Sequence, residues 1–444
     1  MARPPKTSTL NVWVNGKLAG QWRVPARSEM ELQYEKSWVD SEEGRPLSLS
    51  LPFTLDNLPI KGRAVEFYFD NLLPDSAAIR NRLKARFNTE TRDAFDLLAA
   101  IGRDCVGAVQ LLSPGATPDI YKIDGRPLAE AEVEARLAGV VSPDAFRAVE
   151  DDDSFRISIA GTQEKTAFLW HKNRWCLPRG ATPSTHIFKL PLGRIGHTQI
   201  DMSTSVENEW LCSRVLKGFG MSIAQSEIAK FGSQKALVVE RFDRRLHQEG
   251  NYWLRLVQED FCQATATPSS KKYEEEGGPG MPEIASILRG SMQRDEDLKS
   301  FLKAQILFWM LAAIDGHAKN FSIQLLPHGY YKLTPLYDVL SAWPIIGHGV
   351  NKYSWEKVKL AMAVRGKNKH YRIKDIQRRH FNQTASRIGV GDNAEGLISE
   401  VLEAAPRVIS QVQEEAPKDF PENVLNSVLD GLEQSTTRLA SMSA

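Results

Sequence analysis

Cysteine is scarce in this 444-residue chain: Cys105, Cys176, Cys212 and Cys262 are scattered, with no C-x-x-C pair among them. That spacing offers neither a disulfide framework nor a zinc site, and the four read as core residues. Net charge is equally small, +1 from 56 basic and 55 acidic residues, so any contact with nucleic acid must come from a local patch rather than a global field. No run of about 18 residues passes without charge, as a membrane span requires. The opening MARPPKTSTLNVWVNG has no apolar stretch of the signal-peptide kind. A cytosolic protein without membrane contact is expected. Repeats and heptads are missing, as is the G-x-x-x-x-G-K-[ST] pattern of a Walker A loop. What remains is ordinary apolar content, 42%, in a chain too long for one typical domain and sufficient for two lobes or more.

The most informative stretch is 298–342. It opens as an almost wholly apolar helix that is expected to break at Asp315-Gly316, after which Asp315, His317, Lys319, Asn320 and, beyond a hairpin-like segment, Asp338 follow on loops. Polar groups delivered from a dry scaffold are the arrangement of an active site. Asp315 and Asn320 have the D-x-x-x-x-N spacing of a kinase catalytic loop, where the Asp takes a hydroxyl proton and the Asn holds Mg²⁺. Asp338 would be the second metal carboxylate. Taken alone, an Asp-Gly after a helix is often only a C-terminal turn, and Asn or Asp commonly satisfies loop backbone. The conjunction of two carboxylates, an amide and a lysine-bearing strand upstream favours phosphoryl transfer.

Earlier in the chain, Val12 and Val14 precede Asn15-Gly16, which predicts a type I′ hairpin over 10–24. The strict alternation of Arg45 to Leu51 predicts a strand with one buried face, and Ile79, Leu83 and Phe87 a short amphipathic helix. A second helix over about 92–101 should stop at Gly102, and Cys105 to Leu111 should return as a strand. A polar linker and a helix near 128–139 lead to Glu150-Asp151-Asp152-Asp153, a plausible domain boundary. The expected division is 1–148, an N-terminal α+β domain; 149–255, a nucleotide-binding part; and 256–444, a helical lobe.

Beyond the boundary, Phe155 to Leu169 places small and polar residues between two strand-like runs, and a loop there could cover phosphates with backbone N–H groups. It has one glycine where a G-x-G-x-x-G loop has three, and a plain polar hairpin fits it equally. His186 to Leu190 is a strand with one lysine among apolar neighbours. An ammonium there needs an anion, such as nucleotide phosphates and a helix glutamate, for which Glu207 and Glu209 are candidates. A snorkelling edge lysine is the alternative. Ala236 to Asp243 reads as a buried strand ending in polar residues, where an adenine-contacting hinge belongs. From about 256 helices dominate, including Gln258 to Gln263 and a tail with Val424, Leu425, Val428 and Leu432 at core spacing. Glu274 to Gly280 is a loop signal. Between 365 and 380 seven basic residues, Arg378 and Arg379 among them, face only Asp375. That excess suits either phosphate-backbone contact or a solvated face.

With these residues in view, the chain resembles the HipA family of serine/threonine kinase toxins. The resemblance rests on RPLSLSLP at 45–52, FDNLLPDS at 69–76, IGRD at 101–104, AGTQEKTA at 160–167, VERFDRR at 239–245, DGHAKNF at 315–321 and LYD at 336–338, and runs nearly end to end. It implies a two-lobed α+β fold similar to protein and phosphatidylinositol kinases, with a β-rich N-terminal part, activity with ATP and Mg²⁺, and a type II toxin–antitoxin pairing. The partner would be a HipB-like antitoxin dimer, with operator DNA met through the complex and Arg378 and Arg379 as DNA-contact candidates. A protein acceptor such as glutamate–tRNA ligase is implied, with growth arrest and persistence as the outcome. By motif, Asp315 becomes the catalytic base, Asn320 and Asp338 the Mg²⁺ ligands, Lys189 the phosphate-pairing lysine, and Ser158 the autophosphorylated serine. Ala160, Gly161, Thr162, Gln163, Glu164 and Lys165 would cover the phosphates. Glu240, Arg241 and Phe242 would contact adenine, and His317, Ala318, Lys319 and Tyr337 complete the nucleotide site. The family loop commonly has alanine where Thr162 stands. A catalytically silent corepressor partner of a DNA-binding antitoxin is the alternative reading.

Overall fold

The Asn15-Gly16 turn sets the first hairpin: both residues take positive φ, 47° and 77°, and join β1 (Ser8–Val14) to β2 (Lys17–Val24) in the register Val14 to Lys17. In this computed structural model the described residues are 8–25, 28–141, 163–196 and 199–444. β3 (Glu31–Tyr34), β4 (Ile60–Lys61) and β5 (Val109–Leu112) complete a five-stranded sheet of order β4-β3-β2-β1-β5. A short helix, α1 (Lys36–Val39), precedes α2 (Arg63–Asp70), α3 (Ala77–Phe87) and α4 (Ala94–Ile101). One sheet face buries Leu10, Val12, Trp22 and Leu32 with Val65, Phe69, Leu97 and Leu98, and Trp22 stacks on Phe69 with ring centroids 3.9 Å apart. α4 stops at Gly102 as expected. Ile79, Leu83 and Phe87 do share a helix, α3, though its apolar stripe is only half-buried.

Of two expected strands, one did not form and the other formed only in its second half, and in both places the backbone bonds elsewhere. Arg45 to Leu51 is a turn. Leu47 and Leu51 are buried, while the Ser48 hydroxyl and the Leu49 N–H donate to the buried Glu259 carboxylate. Cys105 to Ala108 is a loop with Gly107 at φ 74°. Its Cys105 and Gly107 carbonyls accept from Arg241 and Arg244, and only β5 continues as strand. Period-two alternation therefore described which side chains are buried but missed the acceptors and donors that compete for the backbone.

The second sheet contains β6 (Gly125–Pro127), β7 (Lys165–His171), β8 (Arg174–Pro178) and β9 (His186–Lys189). A separate ribbon, β10 (Gly193–Ile195) with β11 (Ile200–Met202), follows, and then β12 (Ser226–Phe231) and β13 (Gln234–Glu240) close the order β12-β13-β9-β7-β8-β6. α5 (Glu130–Val141) packs Val133 and Leu137 on Phe168, Phe188 and Phe231, and α6 (Ser205–Gly218) is buried along most of its length. The boundary placed at 148/149 lies outside the described residues. β6 and α5, which precede it, belong to the second sheet.

The helical lobe begins with the ribbon β14 (Arg244–Leu246) and β15 (Trp253–Arg255). Gln258 to Gln263, expected as helix, divides into β16 (Gln258–Asp260) and one turn, α7 (Phe261–Ala264), capped by Asp260. α8 (Met281–Leu288) and α9 (Arg294–Met310) follow, with the first turn of α9 exposed and Phe301 to Met310 buried on every side, which is why the sequence there shows almost no polar face. The helix ends at Leu311, four residues before Asp315, and Ala312 turns at φ 47°. β17 (Ser322–Leu325) and β18 (Tyr331–Leu333) form the expected hairpin beside β16. β19 (Lys359–Arg365) and β20 (Lys369–Arg372) lead to α10 (Arg378–Ile388), α11 (Glu395–Glu415) and α12 (Glu422–Ser441). In α12, Val424, Val428 and Leu432 are fully buried and Leu425 half-buried. The result is the two-lobed α+β architecture expected from the sequence. All four cysteines are buried and free. Among the described residues no helix is long and apolar enough to cross a membrane.

Candidate active site

Between the lobes lies an open cleft. Its roof is set by strand register: β7 and β9 are antiparallel neighbours with Lys165 opposite Lys189. Directly opposed residues project to the same face, so both lysines line the cleft. β9 is an interior strand, and Lys189 is 6% exposed, which rules out an edge lysine. Its Nζ donates to Glu209 Oε1 at 2.6 Å and to Asp338 Oδ1 at 2.8 Å. Of the two candidate glutamates, Glu209 is thus the partner, while Glu207 pairs with Lys235.

Burial opposes the Lys189 charge, but the Asp338 and Glu209 carboxylates outweigh it and hold the ammonium above the usual lysine range. Burial also works against Asp338, yet Lys189 and Lys165 keep its carboxyl well below the usual range. Burial pushes Glu209 up to about 7, with Lys189 opposing, and pushes Lys165 down to about 8, with Asp338 opposing. Lys165 makes no ion pair among the described residues. A cleft with one firm cation, one firm carboxylate and a second lysine suits a polyanion that arrives with its own countercharge.

The floor comes from the loop after α9. Asn320 Nδ2 donates to the Asp315 carbonyl at 2.7 Å and more weakly to the Asp338 carbonyl at 3.4 Å, so one amide ties the two acidic segments together. Asp338 stands at φ 61°, a conformation costly for a non-glycine residue and typical of functional positions. Its segment is held from both sides. Leu336 exchanges backbone bonds with Ser222 and Ala224 at 2.8 Å each, and the Asn208 side chain, on α6 beside Glu209, bonds both backbone groups of Ser341 at 2.8 Å. The Asp315 side chain is 45% exposed, and His317 Nε2 lies 3.8 Å from its Oδ1. His317 is buried and its Nδ1 has no partner among the described residues; burial holds this imidazole below its usual value.

The remaining sequence candidates divide. Phe242 and Tyr337 pack together in the cleft wall with ring centroids 5.8 Å apart and planes tilted by 37°, and the Tyr337 hydroxyl donates to the Lys319 carbonyl at 2.9 Å. Arg241 lines the cleft by its backbone only, for its guanidinium donates to Asp243, Ser184 and the Cys105 carbonyl. Glu240 is exposed at the rim. Lys319 directs its ammonium at Asp75, 2.7 Å away, rather than at the open space. Gln163 bonds the Leu190 carbonyl at 2.6 Å, and Glu164 pairs with Arg82. Ala318 is buried in the loop. Ser158, Ala160, Gly161 and Thr162 lie outside the described residues.

In the basic segment, Arg365 pairs with Glu274 at 2.7 Å and Lys374 with Glu356. Arg378 Nε donates to both Glu395 oxygens, at 3.1 and 3.0 Å, so it braces α10 against α11. Arg379 is exposed and makes no ion pair among the described residues. Sequence reasoning passed over Asp75 and Lys272 in the cleft wall, and Tyr273, which donates to Asp315 beside it. Asp75 lay inside a quoted motif without a role. Lys272 and Tyr273 sit in a polar loop where no periodicity points to them.

Known proteins resemble this chain along most of its length. The model of the HipA N-terminal domain matches residues 10–112, and that of the HipA-like C-terminal domain residues 157–409. The Y4mE protein of Sinorhizobium fredii is 30% identical over 418 residues, covering 91% of this chain and 93% of its own length. The serine/threonine-protein kinase toxin HipA of Shewanella oneidensis is 30% identical over 372 residues, covering 81% of this chain and 79% of its own. A solved structure of Shewanella oneidensis HipA with HipB and operator DNA superposes with a TM-score of 0.78 at 24% identity, covering 98% of each chain. Matched along both domains and carrying a lysine, a glutamate and two aspartates in one cleft, the chain belongs to the HipA family of serine/threonine kinase toxins.

Proposed function

We propose that the cleft transfers the γ-phosphoryl group of ATP to a serine or threonine hydroxyl of a protein, with Asp315 as base and Asn320 and Asp338 as the metal-facing ligands. The observation that carries this reading is the convergence of Lys189, Glu209 and Asp338 on one point, bridged to Asp315 through Asn320. An Asp315 oxygen accepts the hydroxyl proton while the hydroxyl oxygen attacks the γ-phosphorus. The bond from that phosphorus to the β–γ bridging oxygen breaks, and ADP leaves. Lys189, freed from part of its contact with Asp338 by a bound nucleotide, orients the phosphates, and Lys165 adds a second cation over them.

The residues present fit Mg²⁺. Asn320 spends its amide nitrogen on two carbonyls, which leaves its oxygen available, and Asp338 supplies a carboxylate held ionised. Among the described residues there is no cluster of three His, Cys, Asp or Glu able to hold a metal. That is the donor set of an ion bound by one or two protein oxygens together with substrate phosphates and water. When bound, Mg²⁺ neutralises charge developing on the transferred group.

Phe242 and Tyr337, whose rings pack on each other, would offer the adenine an aromatic wall, with the backbone of Glu240 to Phe242 as the hinge. The acceptor we propose is glutamate–tRNA ligase, and Ser158 the site at which the enzyme phosphorylates and silences itself. A HipB-like dimer is the proposed partner, with operator DNA reached through the complex, since the solved Shewanella relative is bound to both. The test is ATP–Mg²⁺ turnover with glutamate–tRNA ligase and its substitutes by wild type and Asp315→Asn. Loss of roughly 10²–10⁴-fold is expected on removing the base. Near-normal turnover by a folded Asp315→Asn protein rejects the assignment.

A further inference from the structure

Asp315 reaches the cleft from a loop, with nearly half of its side chain in solvent. A catalytic carboxylate in that position needs something to hold its rotamer, because reactive geometry tolerates misplacement of only a fraction of an ångström. The group that holds it lies outside every motif so far assigned. The Tyr273 hydroxyl donates to Asp315 Oδ1, and the Tyr273 ring stands edge-on to His317 with centroids 5.1 Å apart. A phenol on one carboxylate oxygen leaves the other as the acceptor for an incoming hydroxyl.

Tyr273 is itself pinned from both sides. Upstream, Lys272 Nζ donates to Asp75 Oδ2 at 2.9 Å, and the Lys272 carbonyl accepts from the Ala318 N–H at 3.3 Å. Downstream, the buried Glu274 carboxylate accepts from the Ala363 N–H at 2.7 Å and from Arg365 at 2.7 Å. Asp75 belongs to the N-terminal domain, on the turn between α2 and α3. Its other oxygen takes Lys319 Nζ at 2.7 Å, so one carboxylate grips both the 272–274 strap and the catalytic loop. Burial works against that charge, but Lys319 and Lys272 outweigh it and bring Asp75 down to about 2, and it stays ionised at neutral pH.

We propose that Tyr273 is a positioning residue for Asp315 and that Asp75, through Lys272 and Lys319, makes the N-terminal domain part of the catalytic apparatus. The inference rests on Asp315 acting as the base. It gives a role to the charged residue that the N-terminal domain places in the cleft wall.

The experiment uses the full chain with ATP–Mg²⁺ and reads ADP release and phosphate incorporation into glutamate–tRNA ligase or, in its absence, ADP release to water. Tyr273→Phe removes one hydroxyl and no packing volume. It should lower kcat about 10-fold, within the range that small misplacements cost, with KM for ATP and the melting temperature unchanged. Asp75→Asn should lower kcat similarly, and Asp75→Glu should recover part of it. Wild-type kcat in Tyr273→Phe, with Asp315→Asn inactive, overturns this proposal and leaves the base assignment standing. Activity in Asp315→Asn removes the base assignment itself. If Asp75→Asn unfolds, Tyr273→Phe decides. A fall confined to KM for ATP in either variant also overturns the proposal, since it would place these residues in nucleotide binding.

Discussion

Two buried charge clusters, each assembled from residues far apart in the chain, behave differently. At the hinge, Asp104 and Asp243 meet Arg241, Arg244 and Arg255, all almost fully buried. The carbonyls of Cys105 and Gly107 take further guanidinium N–H groups. In the cleft, Lys189, Glu209 and Asp338 form an equally close triad, but it borders open space. The hinge carboxylates have spent their acceptor capacity within the protein, and the cleft groups have capacity to redirect. The first cluster clasps the N-terminal domain to β13, and the second can exchange its internal partners for a ligand. Burial and pairing alone do not mark a site. What marks it is charge beside a cavity.

The sharpest way to break this comparison is to remove one carboxylate from each cluster. Asp338→Asn should abolish phosphoryl transfer, by about 10²-fold or more for loss of a charge-stabilising group, while the unfolding midpoint changes little because Lys189 keeps Glu209. Asp104→Ala should do the reverse. It leaves guanidinium charges buried without their partner, a loss of about 3–5 kcal/mol, seen as a lower denaturation midpoint, with kcat per folded molecule near wild type. Loss of turnover in Asp104→Ala without loss of stability would mean that the hinge cluster is also functional.

Acid titration sharpens the contrast further. Asp104 and Asp243 are held below the usual carboxylate range, burial opposing and the arginines prevailing, and Asp75 lies at about 2. Folded values below an unfolded value of about 3.9 mean stability that is present above pH ~4 and lost as pH falls toward 2. Chemical denaturation across that range should show the loss, and Asp104→Asn should flatten it. A stability profile independent of pH there would contradict the pairing.

Surface charge gives the smallest effect. In the proposed complex with a HipB-like partner on DNA, Arg379→Ala should reduce the salt slope of binding by about 0.9, without change in melting. Arg378→Ala should cost up to about 1 kcal/mol of stability, the scale of a partly exposed ion pair, through loss of Glu395. If Arg378→Ala alone changes the salt slope, the two arginines have been assigned the wrong way round.

Much of the fold was readable before any coordinates. The Asn15-Gly16 hairpin, α3, α4, the apolar α9 and α12 follow from local rules: turn residues that accept positive φ, and core side chains that recur at the period of a helix. The failures, at Arg45–Leu51, Cys105–Ala108 and Gln258–Gln263, all lie where a distant polar side chain takes over backbone groups or a cap forms. Glu259, Arg241 and Arg244 supply the distant contacts, and no local window contains both partners; Asp260 supplies the cap, three residues from the Gln263 N–H that it accepts.

The sequence by itself determined the two-lobed α+β plan, the family, and the spacing of Asp315, Asn320 and Asp338, because those depend on residue type and on separations within one or two elements. Only the tertiary structure decided that Glu209 rather than Glu207 meets Lys189, that Arg241 turns from the cleft into the N-terminal domain, and that Asp75 meets Lys319 and Tyr273 meets Asp315 across 244 and 42 residues. A hydrogen bond or ion pair acts over about 3 Å, and which groups come within that distance is set by how sheets and helices pack, which leaves no mark on the residues between them.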